Sequence, residues 1–330
     1  NNALLMYKQF PQASQIKEFD DWAADGVKVN KGSKTFIILD PYEYTKKDGT
    51  IGIDKYIGTD TAVLIPDTID NMNVTAIKSY AFFFASIKEV AIPETVLIID
   101  SSAFESCKYL EKVILPEGLK TINGMAFRRC ESLSFIELPQ GLEALGCEAF
   151  RECKSLKSLR IPPNCFKNYS QELFNDSGIE TLQLSEGITS IPSICILDMP
   201  SLKKLILPTT LKEINSNSIA GCPELEEIIL PEGLEKISNA AFAANSKLKE
   251  ITIPKSVRHL PANAFSGCDA LRKIVFEGDA PDNVWYSDDY QDIRYYHHDA
   301  YKDRYTIYYH KDAKGFTSPT WYDYPTQIIE

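Results

Sequence analysis

The sequence predicts an α/β solenoid: a right-handed leucine-rich-repeat array with a parallel concave sheet and short helical or 3-10 turns on the convex side, capped at both ends. Three observations carry this. A proline-type anchor falls at Pro93, Pro116, Pro139, Pro162, Ser185, Pro208, Pro231, Pro254 and Glu277, each 23 residues after the last, with Pro66 standing 27 before Pro93. A fixed period of about 20–29 residues with leucine-type spacing marks this class of solenoid. Apolar residues alternate ahead of each anchor, and an Ala-Phe pair recurs later in most units.

The elements follow in order. Ile16, Phe19 and Trp22/Ala23 recur at helical spacing, with Ser14 as N-cap and Gly26 as stop, so a short amphipathic helix is expected. Thr35 to Leu39 reads as a strand, Lys47-Asp48-Gly49 as a turn, and Ile51 to Ile57 as a half-exposed strand. A hairpin-like cap is expected here, because a first coil left bare would expose a core face and a strand edge.

The repeat takes over at Val63. Val113 and Leu115, with Leu110 before them, are expected to point inward, as are Ile136/Leu138, Leu159/Ile161, Leu182/Leu184, Leu205/Leu207, Ile228/Leu230, Ile251/Ile253 and Ile274/Phe276. Proline then ends the strand, since it has no N–H to give. Ile122, Leu145, Ile191, Ile214, Ile237 and Leu260 turn inward again. The pairs Ala126-Phe127, Ala149-Phe150, Ala241-Phe242 and Ala264-Phe265 are expected to form a helical turn on the far side. One unit, between Pro162 and Ser185, is irregular. Asn168 stands where Ile122 would be, Glu172 where Ala126 would be, and Leu173-Phe174 replaces Ala-Phe. Either the convex side bulges there or the chain shifts register by one residue.

After Glu277 the pattern stops. Trp285, Tyr286, Tyr290, Tyr295, Tyr296 and Tyr301 lead to a final strand at Thr306 to His310, a turn at Lys311 to Gly315, and a closing segment from Trp321 to Pro325. These rings either cover the last coil or form an exposed surface that stacks on a sugar or protein. The division expected is a helix-and-hairpin cap over residues 1–60, repeats over 61–277 giving about ten strands, and a Tyr-rich cap over 278–330.

Composition bounds the chemistry. A net charge of −11 argues against nucleic-acid binding, which needs a basic patch. No apolar run approaches the length needed to cross a bilayer. Cys107, Cys130, Cys153, Cys222 and Cys268 share one repeat slot, held elsewhere by Asp176, Met199 and Asn245. Cys195 fills the slot of Ala103 and Ala126, and Cys165 that of Leu119. Free, buried thiols are therefore expected, with no Cys-x-x-Cys pair to hold zinc.

The unit Leu-x-x-Val-x-Leu-Pro-x-Gly-Leu-x-x-Ile-x-x-x-Ala-Phe-x-x-Cys closely resembles the 23-residue Treponema-type leucine-rich repeat of the BspA-like bacterial surface proteins. The resemblance covers about Val63 to Glu277. It extends to the entry segment Tyr56 to Pro66 and to the exit residues Thr306 to Tyr309, Lys314-Gly315 and Trp321. Gly118 and its equivalents, or Thr95, Thr210 and Ser256, stand where the broader leucine-rich pattern has Asn or Cys. The resemblance implies an exported bacterial protein, surface-attached or secreted, its signal peptide removed before Asn1. It implies adhesion to an extracellular protein or glycan, of the host matrix or of other bacteria.

No nucleophile elbow, phosphate loop or zincin motif is present, so no catalytic residue, cofactor or metal is expected. His259 is expected in a solvated loop. His297-His298-Asp299, near Asp288, Asp289, Asp292 and Asp303, is at most a weak divalent-metal cluster. The better candidate is the concave sheet. Phe135, Glu137, Arg160, Gln183, Ile206 and Ile229 fall at outward strand positions in successive units, joining an aromatic, an ion pair and an amide to an apolar strip. The expected role is a non-enzymatic, monomeric binding module. The alternatives are a spacer in a larger surface protein and an accessory domain of a glycan-degrading system.

Overall fold

The computed structural model describes residues 41–166, 170–282, 305–321 and 324–330. The expected helix at Ile16 to Ala23, the strand at Thr35 to Leu39, Asn168 and the aromatic run Trp285 to Tyr301 lie outside the described residues.

The repeat winds into a stack of coils with two parallel strand ladders and a column of tight turns. The concave ladder contains the strands Ala62–Leu64, Glu89–Ala91 and Lys112–Ile114, then Ser158–Ile161, Thr181–Leu184 and Lys204–Ile206, then Glu250–Ile253, Lys273–Phe276 and Thr306–His310. Within the array partners lie 23 residues apart, as Arg160 beside Gln183 and Gln183 beside Ile206; the spacing is wider only at the two ends, for Ala62 beside Glu89 and Lys273 beside Thr306. The expected inward residues are buried, with Leu115 and Leu207 partly so. The ladder is not the single sheet of about ten strands that was expected. Among the described residues it falls into three sheets. Only the bridge Lys112–Phe135 marks the coil at 135–138, and no strand forms at 227–230. Yet Ile136, Leu138, Ile228 and Leu230 stay buried. Side-chain packing therefore sets the coil spacing, and the ladder bonds follow where geometry permits.

The second ladder was not foreseen. Residues read only as inward turns form short parallel strands: Ile98–Ile99, Thr121–Ile122 and Ala144–Leu145 in one sheet, Ser190–Ile191, Glu213–Ile214 and Lys236–Ile237 in another. At the entry this ladder is closed by a hairpin. Tyr42–Lys47 pairs antiparallel with Thr50–Tyr56 around Asp48 and Gly49, both at positive φ. Thr50–Tyr56 then runs parallel to Met72–Ile77, the strand that leads into the array.

The convex side departs from expectation. No α-helix occurs among the described residues, and Ala262–Phe265 is their one 3-10 element. The reason is the backbone. The coils from Tyr80 to Ala244 each place two residues at positive φ, four apart, as Met125 and Arg129, Glu148 and Glu152, Ile194 and Asp198; the next coil, which forms the 3-10 element, has only Gly267. Left-handed residues break a right-handed helix. Alternate amides then face different partners. Met125, Phe127 and Arg129 donate to Cys147, Ala149 and Arg151 of the next coil at 2.8, 3.0 and 2.9 Å. Ala126, Arg128 and Cys130 close turns within their own coil.

Inside this column the phenylalanines stack. Phe82, Phe104, Phe127, Phe150 and Phe174 follow one another at centroid distances of 4.8, 5.3, 5.6 and 6.5 Å, and Phe242 meets Phe265 at 5.5 Å. Ile196 and Ile219 occupy the gap and pair as short strands, as β-branched residues do. The cysteines seal the column by donating to the ring-bearing residue one coil back: Cys107 to Phe82 O at 2.9 Å, Cys130 to Phe104 O and Cys153 to Phe127 O at 3.2 Å. Asn245 fills the same slot, donating to Ile219 O and Phe242 O and accepting from the Cys222 amide.

The irregular unit contains one extra convex residue. The left-handed positions step by 24 from Glu148 to Glu172 and by 22 from Glu172 to Ile194, while the concave strands keep their step of 23. This corrects two slot assignments. Glu172 takes the left-handed position of Glu148, and Leu173 takes that of Ala149. Ser177, buried, takes the cysteine slot expected for Asp176, which is exposed and left-handed like Glu152. Gly178 follows because a Cβ there would fall 1.8 Å from the Lys154 carbonyl oxygen. The exit is also corrected. Thr306–His310 is not the final strand, since Tyr324–Ile329 pairs parallel beyond it. Phe276, Phe316 and Trp321 pack together beneath.

Two stability changes follow. Phe127→Ala opens a cavity between two stacked rings and is expected to cost about 3–5 kcal/mol, read from urea denaturation. Ser177 Oγ is buried without a hydrogen-bond partner. Ser177→Ala should therefore raise stability by about 1 kcal/mol; a loss of that size would show the hydroxyl to be structural.

Candidate binding face

The concave strands alternate, so their outward residues form columns spaced about 4.8 Å apart. Phe135 is 57% exposed and Ile229 73%. Glu137 and Arg160 are exposed, Gln183 and Ile206 half-buried. The structure brings Arg160, Gln183 and Ile206 side by side in one ladder. Phe135 joins the preceding sheet through Lys112, and Ile229 stands in a coil outside any described ladder. The expected ion pair between Glu137 and Arg160 is not formed. Arg160 Nε instead donates to Ser185 Oγ at 3.1 Å, across to the next coil. A neutral hydroxyl leaves the rest of the guanidinium facing solvent.

Two apolar positions were left out of the predicted site. Leu64 and Ile114 are exposed, and Leu64, Ala91 and Ile114 lie in register. Their signal was present, since both stand two residues before an anchor. Toward the exit the same face satisfies itself. Lys273 Nζ reaches Glu250 at 3.5 Å and lies 5.5 Å from the Tyr308 ring centroid. The open, apolar part of the face is thus the entry and middle.

Charge lines the rim, one residue before the strands. Glu180 accepts from Lys203 at 2.8 Å and Lys157 at 3.3 Å. Lys203 first, and Lys157 with it, holds the Glu180 carboxyl below its ordinary range. Such exposed pairs contribute little to stability, so they serve to set the pattern of charge a partner meets. His259 is exposed beside Lys236. His297, His298 and Asp299 lie outside the described residues, and no group of metal-binding side chains occurs among those described.

The thiols carry no nucleophilic site. All eight cysteines are free, and seven are buried. Burial pushes Cys107, Cys153, Cys222 and Cys268 from about 9 up to about 12. Half-buried Cys147 is shifted upward too, by burial and then by Glu148.

With this geometry the comparisons agree. Residues 75–199 and 167–282 match the BspA type leucine rich repeat region in six copies. The chain belongs to that family. A Treponema pallidum leucine-rich-repeat protein of known structure is 26% identical, with a TM-score of 0.51 over 57% of this chain and 90% of that one. A leucine-rich cell-surface protein of Faecalibacterium prausnitzii is 20% identical over 75% of this chain and 96% of its own, at a TM-score of 0.35. The pneumococcal vaccine antigen PcpA is 19% identical over 84% and 93%, also at 0.35. No curated protein matches. No helix among the described residues is long and apolar enough to cross a membrane.

The thiol arrangement has a measurable consequence. At pH 8 the native chain should give at most one thiol to Ellman's reagent, from Cys147, and eight after unfolding. Unfolded thiols ionise near pH 9 and the buried ones only near 12, so stability should fall as pH rises from about 9 towards 12.

Proposed function

We propose that this chain is a non-enzymatic binding module of an exported bacterial protein, at the cell surface or secreted, acting as a monomer. It presents the concave face of a right-handed solenoid to an extracellular protein. Residues 1–60 and 278–330 serve as caps to the array of residues 61–277. Phe135, Glu137, Arg160, Gln183, Ile206 and Ile229 form the contact, extended by Leu64 and Ile114. The observation that carries this reading is the exposure of Phe135 and Ile229 on the face that also carries an arginine whose guanidinium is only partly used. An aromatic with an arginine is the usual make-up of an interface hot spot. Membership of the family supports protein binding, and the open concave face supports a protein over a small ligand.

Phe135→Ala with Arg160→Ala tests it. Binding to a panel of immobilised extracellular-matrix proteins is measured for the wild type and the double variant. A loss of tenfold or more, with unchanged circular dichroism, is expected, equivalent to about 1.4 kcal/mol or more. Binding that survives the double change would remove the concave face as the site. Failure of the wild type to bind any protein or any glycan on an array would favour the spacer reading.

A further inference from the structure

A second surface stands apart from the concave face, beside the first convex turn. A cleft of about 380 Å³ opens there, lined by Asp54, Lys55, Tyr56, Asp60, Tyr80 and Phe83 among others. We propose that it binds an organic cation, a guanidinium or alkylammonium group.

The first argument is charge. Asp54 and Asp60 form no ion pair among the described residues, and Lys55 bridges to neither; Asp54 accepts only from the neutral Thr45 hydroxyl, so the lining keeps an excess negative charge. The whole chain, at −11, adds attraction of the same sign. The second is the rings. Tyr80 and Phe83 stand 5.4 Å apart at 85°, giving two walls at right angles, and both are exposed. An aromatic face attracts a cation within about 6 Å of its centroid, and carboxylates beside it strengthen the hold. Arginine suits such a site best, since its planar head stacks on rings and pairs with carboxylates.

The third argument is that the cleft is already built. The Tyr56 ring stacks on Phe82 at 5.1 Å, and its hydroxyl accepts from the Asp60 amide at 3.1 Å. Gly58 lets the loop close over that ring, since a Cβ there would fall 2.6 Å from it. The loop that presents Asp60 is thereby held.

The fourth comes from the repeat itself. The left-handed slot of Tyr80 is filled in later coils by Ser102, Met125, Glu148 and Ala240. The fold therefore does not demand an aromatic there. Mid-array, the outer slots of the turn carry an ion network, with Arg128 to Glu148 at 3.3 Å and Arg151 to Glu172 at 2.9 Å. Among the described residues, the first of these turns is where exposed rings crowd together beside carboxylates without a cationic partner.

Titration calorimetry of the whole chain decides the matter. N-acetyl-arginine amide stands for a side chain offered by a protein, and tetramethylammonium for a free ammonium compound. Either should bind saturably in the millimolar range or tighter, and the better binder identifies the source. N-acetyl-citrulline amide and glucose, both uncharged, should not bind. Asp54→Asn with Asp60→Asn, and separately Tyr80→Leu with Phe83→Leu, should each weaken binding at least tenfold. The second pair lies on the surface and keeps apolar bulk, so it reports on the rings even if the first disturbs the hairpin. Citrulline amide binding as well as arginine amide, glucose binding in place of the cations, no saturation by either cation, or variants that bind like the wild type would each overturn the proposal.

Discussion

The structure depends on how the convex turn divides its amides. In an α-helix every interior N–H is spent within the helix. Here every second N–H crosses to the next coil, as Met125, Phe127 and Arg129 show. That division requires residues in the left-handed region, where an L side chain costs on the order of 1 kcal/mol. The cross-coil bonds and the stacked rings between them offset the strain. A coil cut from the array would keep the strain and lose both. The repeat is thus stable only as a stack.

The same rule explains how the irregular unit survives. An extra residue between Glu148 and Glu172 would throw every later cross-coil bond out of register if it were carried forward. It is cancelled within one coil, by the shorter step to Ile194. Phe174 then still falls on Phe150, at 6.5 Å, the widest gap in that run of rings. The cost appears where the cysteine slot should be satisfied. Ser177 and Asn175 carry buried polar atoms without partners, while Cys107, Cys130 and Cys153 each find a carbonyl. The slot asks for a small side chain that can donate one coil back. Asn245 meets that demand more fully than any thiol, with two bonds given and one accepted.

Much of this was legible in the sequence. Side chains alternate along a strand and repeat along the stack, so burial could be read from period and parity alone. The inward residues and the outward columns came from that, while the turn at Asp48-Gly49 was legible from its residue types. What escaped was set by backbone conformation. The left-handed pair in each turn falls on Met125, Arg129, Glu148 and Glu152, residue types that give no sign of it, so a helix was expected. The irregularity at 162–185 was legible as a bulge or a one-residue shift, but a strict period of 23 names the wrong residue for each slot once the step is 24. The Glu137–Arg160 pair failed because spacing along strands says nothing of a hydroxyl at Ser185. The cleft at Tyr80 escaped for another reason. Its walls come from the hairpin, a loop and the first turn, and no repeat links them.

Because interior packing and cross-coil backbone bonds hold the coils together, outward positions are released from structural duty. The two faces use that freedom differently. On the concave side a single column passes from Leu64 and Ile114 through Arg160 to Ile206 and Ile229, so apolar ends flank a polar middle. Such a column suits an extended partner lying along the array, since its contacts are strung out at regular intervals. On the convex side the outer side chains are tied mid-array into ion pairs. A cleft lies where the repeat begins, walled by the hairpin, its loop and the first turn. The array therefore keeps a long open face, and its entry adds a cleft that the later coils do not repeat.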